Sequence, residues 1–342
     1  MMKYVPVLRF RDQERLVLKS ITLSQKTMPL IEIVKPTPNG NLNGTFGQIH
    51  QKELSHLNVP FMVDFPTHLN TSRTEATIQN FLRPLQVSQQ AKNSALLSLS
   101  HISNVIPVIS HNPFVPYLAN SIVNDATLLR KTYSRLAFRV FSQNINSIIN
   151  DVERTISIGD ILVFDIDDAP HVSPALQLQY QQILQVKQNK NCQTVIIRSA
   201  IPSNIYNTGL VNDTPITSIN NSLLTAYLGY HFDAFGDFAG LKNDLPSTGG
   251  IISPGLIFYS WHTNSYAGYK GRTKVLSEFQ AHIGPTLIKS TYWNNYSQPH
   301  HQNCPGCKKI QAIVSRQTTS GNQATWKGIT LAHYLYTMEE FL

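Results

Sequence analysis

Charged residues close many of the apolar runs in this sequence. Arg9 and Arg11 end the first, Glu32 and Lys35 the second, and Asp64 the third; Arg139, the group Asp165, Asp167 and Asp168, and Arg198 end later ones. If those runs are strands of a parallel barrel, their carboxyl ends converge on one face and their charges ring its mouth. Glu32, Asp64 and Asp165 are then candidates to hold a divalent cation through oxygen ligands or to move a proton, chemistry that suits phosphoryl or phosphodiester transfer. Arg9, Lys35, Arg139 and Arg198 would contact the anion. The same residue types also suit buried ion pairs that do no more than hold a barrel together. Strand alternation groups Glu32 with Leu30, Asp64 with Met62 and Asp165 with Ile161 and Val163. Arg139 falls between Phe138 and Val140 on the opposite parity, so not all of these charges are expected to point inward.

Three further groups carry potential chemistry. In Phe235-Gly-Asp-Phe-Ala-Gly240 the glycines permit a tight turn that presents Asp237, although a plain Gly-Asp turn has the same spacing. Trp261-His262 offers a stacking surface and a general acid or base, or simply packing for a loop. Pro299-His-His-Gln-Asn-Cys-Pro-Gly-Cys307 sets Cys304 and Cys307 three residues apart, with His300 and His301 just upstream. That spacing supplies three ligands of a structural zinc site, such as Cys304, Cys307 and His300, and a fourth from Cys192 or His333 only if the fold brings one near. No P-loop, dinucleotide fingerprint, nucleophile elbow or zincin motif is present, which weighs against the well-marked enzyme classes.

The elements that must position these residues alternate. Candidate strands are 4–10, 28–34, 61–65, 105–109, 136–141, 161–166, 194–197 and 231–235. Helical spacing fills 14–21, 73–87, 120–133, 145–156 and 175–187, mostly behind Asp, Asn, Ser or Thr caps. The Gln- and Asn-rich stretches 79–93 and 177–193 read as polar helix faces. Eight strands in strand–helix alternation predict an α/β fold, a (β/α)8 TIM-like barrel with a C-terminal appendage. An open doubly wound sheet shares the rhythm and is the alternative. The core is expected over residues 1–245. Residues 246–342 are expected to complete the barrel and add an appendage, with a loop at Leu245-Pro-Ser-Thr-Gly-Gly250 and another strand over 255–261.

Bulk properties bound the function. A chain of 342 residues, 42% hydrophobic and 14% charged, is globular, and barrels fold roughly 250 residues or more as one unit. A net charge of +8 favours anionic partners. No segment approaches the roughly 18 apolar residues of a membrane span, the first residues lack a secretory signal pattern, and three cysteines are too few for a disulfide framework. These features predict a cytoplasmic protein with no membrane partner.

The opening Tyr4-Val-Pro-Val-Leu-Arg-Phe-Arg-Asp-Gln-Glu14, then Pro29-Leu-Ile-Glu-Ile33 and Val63-Asp64, resemble the start of the phage-type beta-protein family. The likeness continues at 161–165, Arg198, Gly236-Asp-Phe-Ala-Gly240, Thr325-Trp-Lys-Gly-Ile329 and His333. It implies a phage or bacterial mobile-element and defence-locus context, supplies no mechanism, and picks out Arg9, Glu14, Glu32, Asp64, Asp165, Arg198 and Asp237. Two functions are therefore expected to compete. One is a barrel that binds a nucleotide or nucleic-acid phosphate at its mouth, with metal-dependent chemistry if the carboxylates hold a cation. The other is a non-catalytic module, such as an antitoxin, inhibitor or scaffold, that holds a protein partner from the same locus. Direct nucleic-acid binding by 266–274 with Lys308 and Lys309 is a third.

Overall fold

Short β-branched runs that are apolar on both faces form strands covered on both sides, as a parallel sheet requires. In the computed structural model, which describes residues 2–38, 43–245 and 253–342, they are β1 (Tyr4–Phe10), β2 (Leu30–Ile33), β3 (Phe61–Asp64), β4 (Val105–Ser110), β5 (Ala137–Phe141), β6 (Ile161–Asp165), β7 (Gln193–Ile197) and β8 (Ala234–Asp237). Each pairs in parallel with the next, and β8 pairs with β1 through Tyr4↔Phe235, Val5↔Gly236 and Pro6↔Asp237. The sheet is a closed barrel, which excludes the open doubly wound alternative.

Residues of one parity, including Val7, Leu30, Met62, Val108, Ala137 and Val163, fill the lumen. Those of the other parity, such as Leu8, Ile31, Val63, Phe138 and Phe164, join the larger cluster under the helices. Gly236 marks a close approach between strands: a Cβ there would lie 2.6 Å from the Val5 carbonyl oxygen and 2.8 Å from Ile197. Gly236→Ala should therefore push β8 from β1 and cost about 1–3 kcal/mol, read as a lower urea midpoint at unchanged slope; an unchanged midpoint would refute the close-approach argument.

Most helices fall where spacing predicts them. The polar stretch 79–93 departs: it is two helices, Ala76–Val87 and Gln89–Leu97, because Ser88 takes an extended conformation (φ -136°, ψ 107°) that ends the first and caps the second from its side chain. The helix Phe46–Leu54, closed by a Thr45/Gln48 capping box, is an addition to the expected set. The last strand starts three residues later than 231–235, because His231 takes a left-handed conformation (φ 61°) that ends a turn rather than starting a strand.

Beyond the barrel, β9 (Gly255–Ser260) and β10 (Ser265–Lys270) form an antiparallel hairpin. Residues 246–250 of the expected loop lie outside the described residues. Phe258, Tyr269, Phe279, Ile283, Trp293 and Trp326 build a second core beneath the hairpin. The C-terminal helix Gln323–Phe341 joins the two cores, giving Leu331, Tyr334, Leu335 and Met338 to the barrel and Trp326 and Ile329 to the appendage. Among the described residues no helix is long and apolar enough to cross a membrane.

Candidate functional site

Arg9, Glu32 and Asp64 stand in register across β1, β2 and β3, so their side chains share one layer at the carboxyl end of the lumen. Arg139 lies in that layer too, which corrects the parity expectation. It shares its face with the lumen residue Ala137, while Phe138 and Val140 point out to the helices. Parity holds within one strand, but the stagger of a closed barrel decides which residues of different strands meet.

The layer is organised around Arg139. Its Nη1 donates to Glu32 Oε1 at 2.7 Å and Asp64 Oδ2 at 3.2 Å, while Nε and Nη2 donate to Asp165 Oδ2 at 3.0 and 2.6 Å. Arg9 Nε reaches Glu32 Oε2 at 3.1 Å. Lys92, from the helix Gln89–Leu97, lies 2.9 Å from Asp64 Oδ1 and donates to the Ser110 carbonyl oxygen at 3.0 Å. Ser110 Oγ donates to both Asp64 oxygens at 2.8 and 3.0 Å, and the Phe65 amide to Oδ1 at 2.8 Å. The Asp167 amide caps Asp165 Oδ1 at 2.9 Å. Three carboxylates thus face three cations.

This lattice is sealed from solvent. Glu32 and Asp64 are 0% exposed, Arg139 1% and Asp165 2%. Phe141 lies over the Arg139 guanidinium at 5.0 Å, His68 packs on Phe141 at 4.6 Å, and Phe238 lies over Arg9 at 5.1 Å. Burial, then the charges of Arg139, Arg9 and Lys92, hold His68 well below the ordinary histidine value, so it is neutral at pH 7. Every oxygen of Glu32, Asp64 and Asp165 already has a protein donor, so the trio does not fit a divalent cation in this arrangement.

The remaining expected residues separate from the ring. Arg198 donates to the carbonyl oxygens of Ala169 at 2.8 Å and Asn220 at 2.6 Å and staples two loops. Lys35 follows β2 and is half-buried. Glu14 is buried on the first helix and accepts from Arg11 at 2.7 Å. Asp237 ends β8 instead of sitting in a tight turn, and it faces outward. It accepts from Tyr4 at 2.7 Å, from the Tyr334 hydroxyl and from the Ala239 amide at 2.8 Å. Trp261 stacks on Phe341 at 5.3 Å, and the exposed His262 meets Tyr296 and Phe341 edge-on, so both pack the appendage. Tyr266 and Tyr269 are buried and offer no stacking surface to nucleic acid.

The open space lies beside the ring: a cleft of about 710 Å³ between the β1 and β8 ends and the appendage. Arg9, Arg11, Lys242 and Lys327 line it against Glu14 and Asp244, with Tyr206, Thr208, Asn322 and Gln323 among the polar groups. Arg9 faces both regions. Its Nη1 donates to the carbonyl oxygens of Asp244 at 2.5 Å and Lys242 at 3.5 Å, and its Nη2 to Asn243. Burial, the largest influence on Lys242, pulls its ammonium below the ordinary lysine value.

The expected zinc ligands do converge, and His333 joins them. Ligand atoms of His300, Cys304, Cys307 and His333 all lie within 4.8 Å of one another, and all four residues are buried. Cys192 is buried in the barrel cluster instead. Lys92 and His68 are what residue types and spacing left out, and His333 is the one of the two conditional fourth ligands that the fold brings near. The first two come from a helix and a loop with no motif, and His333 was visible only as a conditional partner.

The architecture is that of an α/β protein: an eight-stranded parallel TIM-like barrel carrying a C-terminal appendage. The chain belongs to the Beta protein family, whose model matches residues 4–339. Among solved structures the chain is similar to the tryptophan synthase α-subunit of the hyperthermophile Pyrococcus furiosus, at 10% identity and a TM-score of 0.38 over 70% of this chain and 88% of that one. Among curated proteins, none matches.

Proposed function

We propose that the protein binds a phosphate-bearing ligand of nucleotide size in the cleft between the barrel mouth and the appendage, and that the buried charge lattice supports this wall, reaching the cleft only through Arg9. The observation that carries the reading is the cleft's composition. Its volume suits a small ligand, cations outnumber acids along it, and Arg11 Nε is buried with no hydrogen-bond partner among the described residues. A guanidinium with donors to spare is suited to a phosphate, and Lys327 is exposed to meet a second charge. Tyr206, 67% exposed, presents a ring for stacking. Metal-dependent phosphodiester chemistry at Glu32, Asp64 and Asp165 is not part of the proposal, since their oxygens are taken.

The test is a thermal-shift series on wild type, Arg11→Gln and Lys327→Gln with a panel of nucleotides and inorganic phosphate. Ligand at 100 times its Kd stabilises by about 2.7 kcal/mol, a rise of several degrees for a chain this size. Each variant should lose at least half of it. No rise with any of these at millimolar concentration refutes the reading.

A second reading, capture of a protein partner from the same locus, has its own observation. Phe114 and Leu118, 72% and 75% exposed, project from the loop after β4 together with Val115. Adjacent exposed apolar groups on a mouth loop suit a protein interface. It gains if Phe114→Ser with Leu118→Ser abolishes binding of a purified neighbour-encoded protein while nucleotide shifts are absent.

A further inference from the structure

We propose that His300, Cys304, Cys307 and His333 form a closed structural zinc site in the appendage, with Glu340 and the Tyr259 carbonyl as its outer shell. The inference is independent of the cleft and its ligand. A tetrahedral Zn²⁺ with sulfur at about 2.3 Å and nitrogen at about 2.0–2.1 Å places neighbouring S and N ligands about 3.5 Å apart. His333 Nδ1 lies 3.5 Å from Cys307 Sγ and 3.7 Å from Cys304 Sγ.

The imidazole tautomers agree with that geometry. His333 Nε2 lies 3.1 Å from the Tyr259 carbonyl oxygen, which can only accept, so the proton sits on Nε2 and Nδ1 turns its lone pair to the sulfurs. His300 Nδ1 lies 2.5 Å from Glu340 Oε2, which leaves the lone pair on Nε2. Among the described residues that Nε2 is buried with no hydrogen bond of good geometry, in a residue only 1% exposed, and its near neighbour is the proposed ligand Cys304. A buried imidazole nitrogen with no donor to satisfy it is costly, and a cation at the centre of the four ligand atoms removes the cost. Carboxylate–histidine and carbonyl–histidine pairs are the usual second layer of zinc centres. The Cys307 amide donates to Cys304 Sγ at 3.4 Å, which favours the thiolate.

The position explains the purpose. Phe258 stacks on His333 at 4.1 Å and Tyr296 on His300 at 4.2 Å, so the centre is dry and leaves no open position for substrate. It ties the helices Gln298–Asn303 and Pro305–Val314 to the C-terminal helix, which spans both cores.

The experiment uses the full chain, purified under reducing conditions without chelator, with zinc measured by mass spectrometry. About one zinc per chain is expected, and cobalt added to the metal-free protein should give the visible bands of tetrahedral coordination by thiolate and imidazole. Because Cys307→Ser removes a ligand from the middle of a core and can fail to fold, Glu340→Gln is the second arm. It should weaken zinc about 10- to 100-fold in competition with a chromogenic chelator, while the exposed control Lys308→Gln leaves affinity unchanged. A folded wild-type chain that binds neither zinc nor cobalt, its thiols free or joined as a disulfide, overturns the proposal. So does a folded Cys307→Ser chain that binds zinc as tightly as wild type, and unchanged affinity in Glu340→Gln removes Glu340 from the outer shell.

Discussion

Arg139→Met is expected to destabilise the protein by about 3–5 kcal/mol, because removing one member of a buried charge network strands partners that water cannot reach. Glu32, Asp64 and Asp165 each accept from this guanidinium, and all are sealed beneath Phe141 and Phe238. The loss should appear as a lower urea midpoint and a melting temperature reduced on the order of 10 °C. The double variant Arg139→Met with Asp165→Leu should recover part of it. Glu32 would keep Arg9 and Asp64 would keep Lys92, so charge balance returns. The coupling between the two sites is then large and of opposite sign to simple additivity. A single variant within 1 kcal/mol of wild type would show that the lattice is not what holds the mouth.

That lattice was half visible in the sequence, for a physical reason. Parallel strands bring their carboxyl ends to one face, so acids and bases ending apolar runs are expected near one another: Arg9, Glu32, Asp64, Arg139 and Asp165 meet, while Arg198 turns to loop carbonyls. What alternation along single strands could not supply was the stagger between them: it groups Arg139 with Ala137 but does not say which face of that strand is the lumen or which residues of other strands meet it there. Lys92 was hidden further, because it lies on a helix that reads as a polar surface and reaches Asp64 only through the β3–β4 crossover. The result also changes the chemistry. Carboxylates spaced for a metal in one dimension prove to be neutralised in three by Arg139, Arg9 and Lys92. The appendage shows the converse: Cys304 and Cys307 announced themselves by local spacing, and the missing ligand His333 lay 26 residues beyond Cys307 on another helix.

Asp237 separates the sequence reading from the structure most sharply, and it yields the second large effect. Its carboxylate is buried against the C-terminal helix, where the hydroxyls of Tyr4 and Tyr334 and the Ala239 amide supply its hydrogen bonds. Asp237→Ala leaves both hydroxyls buried without an acceptor, at about 1–3 kcal/mol each; a total of about 2–5 kcal/mol is expected. Asp237→Asn should behave differently. Its amide oxygen can keep one hydroxyl and its NH₂ can donate to the other tyrosine's oxygen.

Burial is the largest influence on Asp237 and, against the three hydrogen bonds, leaves its pKa raised from the ordinary 3.8. The native state then holds this proton to a higher pH than the unfolded chain does. The stabilisation is full below the unfolded value and is lost as pH rises through the native one. The amide of the Asp237→Asn variant cannot ionise, so the stability of that variant relative to wild type should improve as pH climbs from below 3.8 toward neutrality. Urea titrations of both chains across that window test the sign. A difference that stays constant, or that shifts toward wild type with rising pH, would mean that the tyrosine hydroxyls and the amide outweigh burial and that Asp237 is held as a favoured carboxylate.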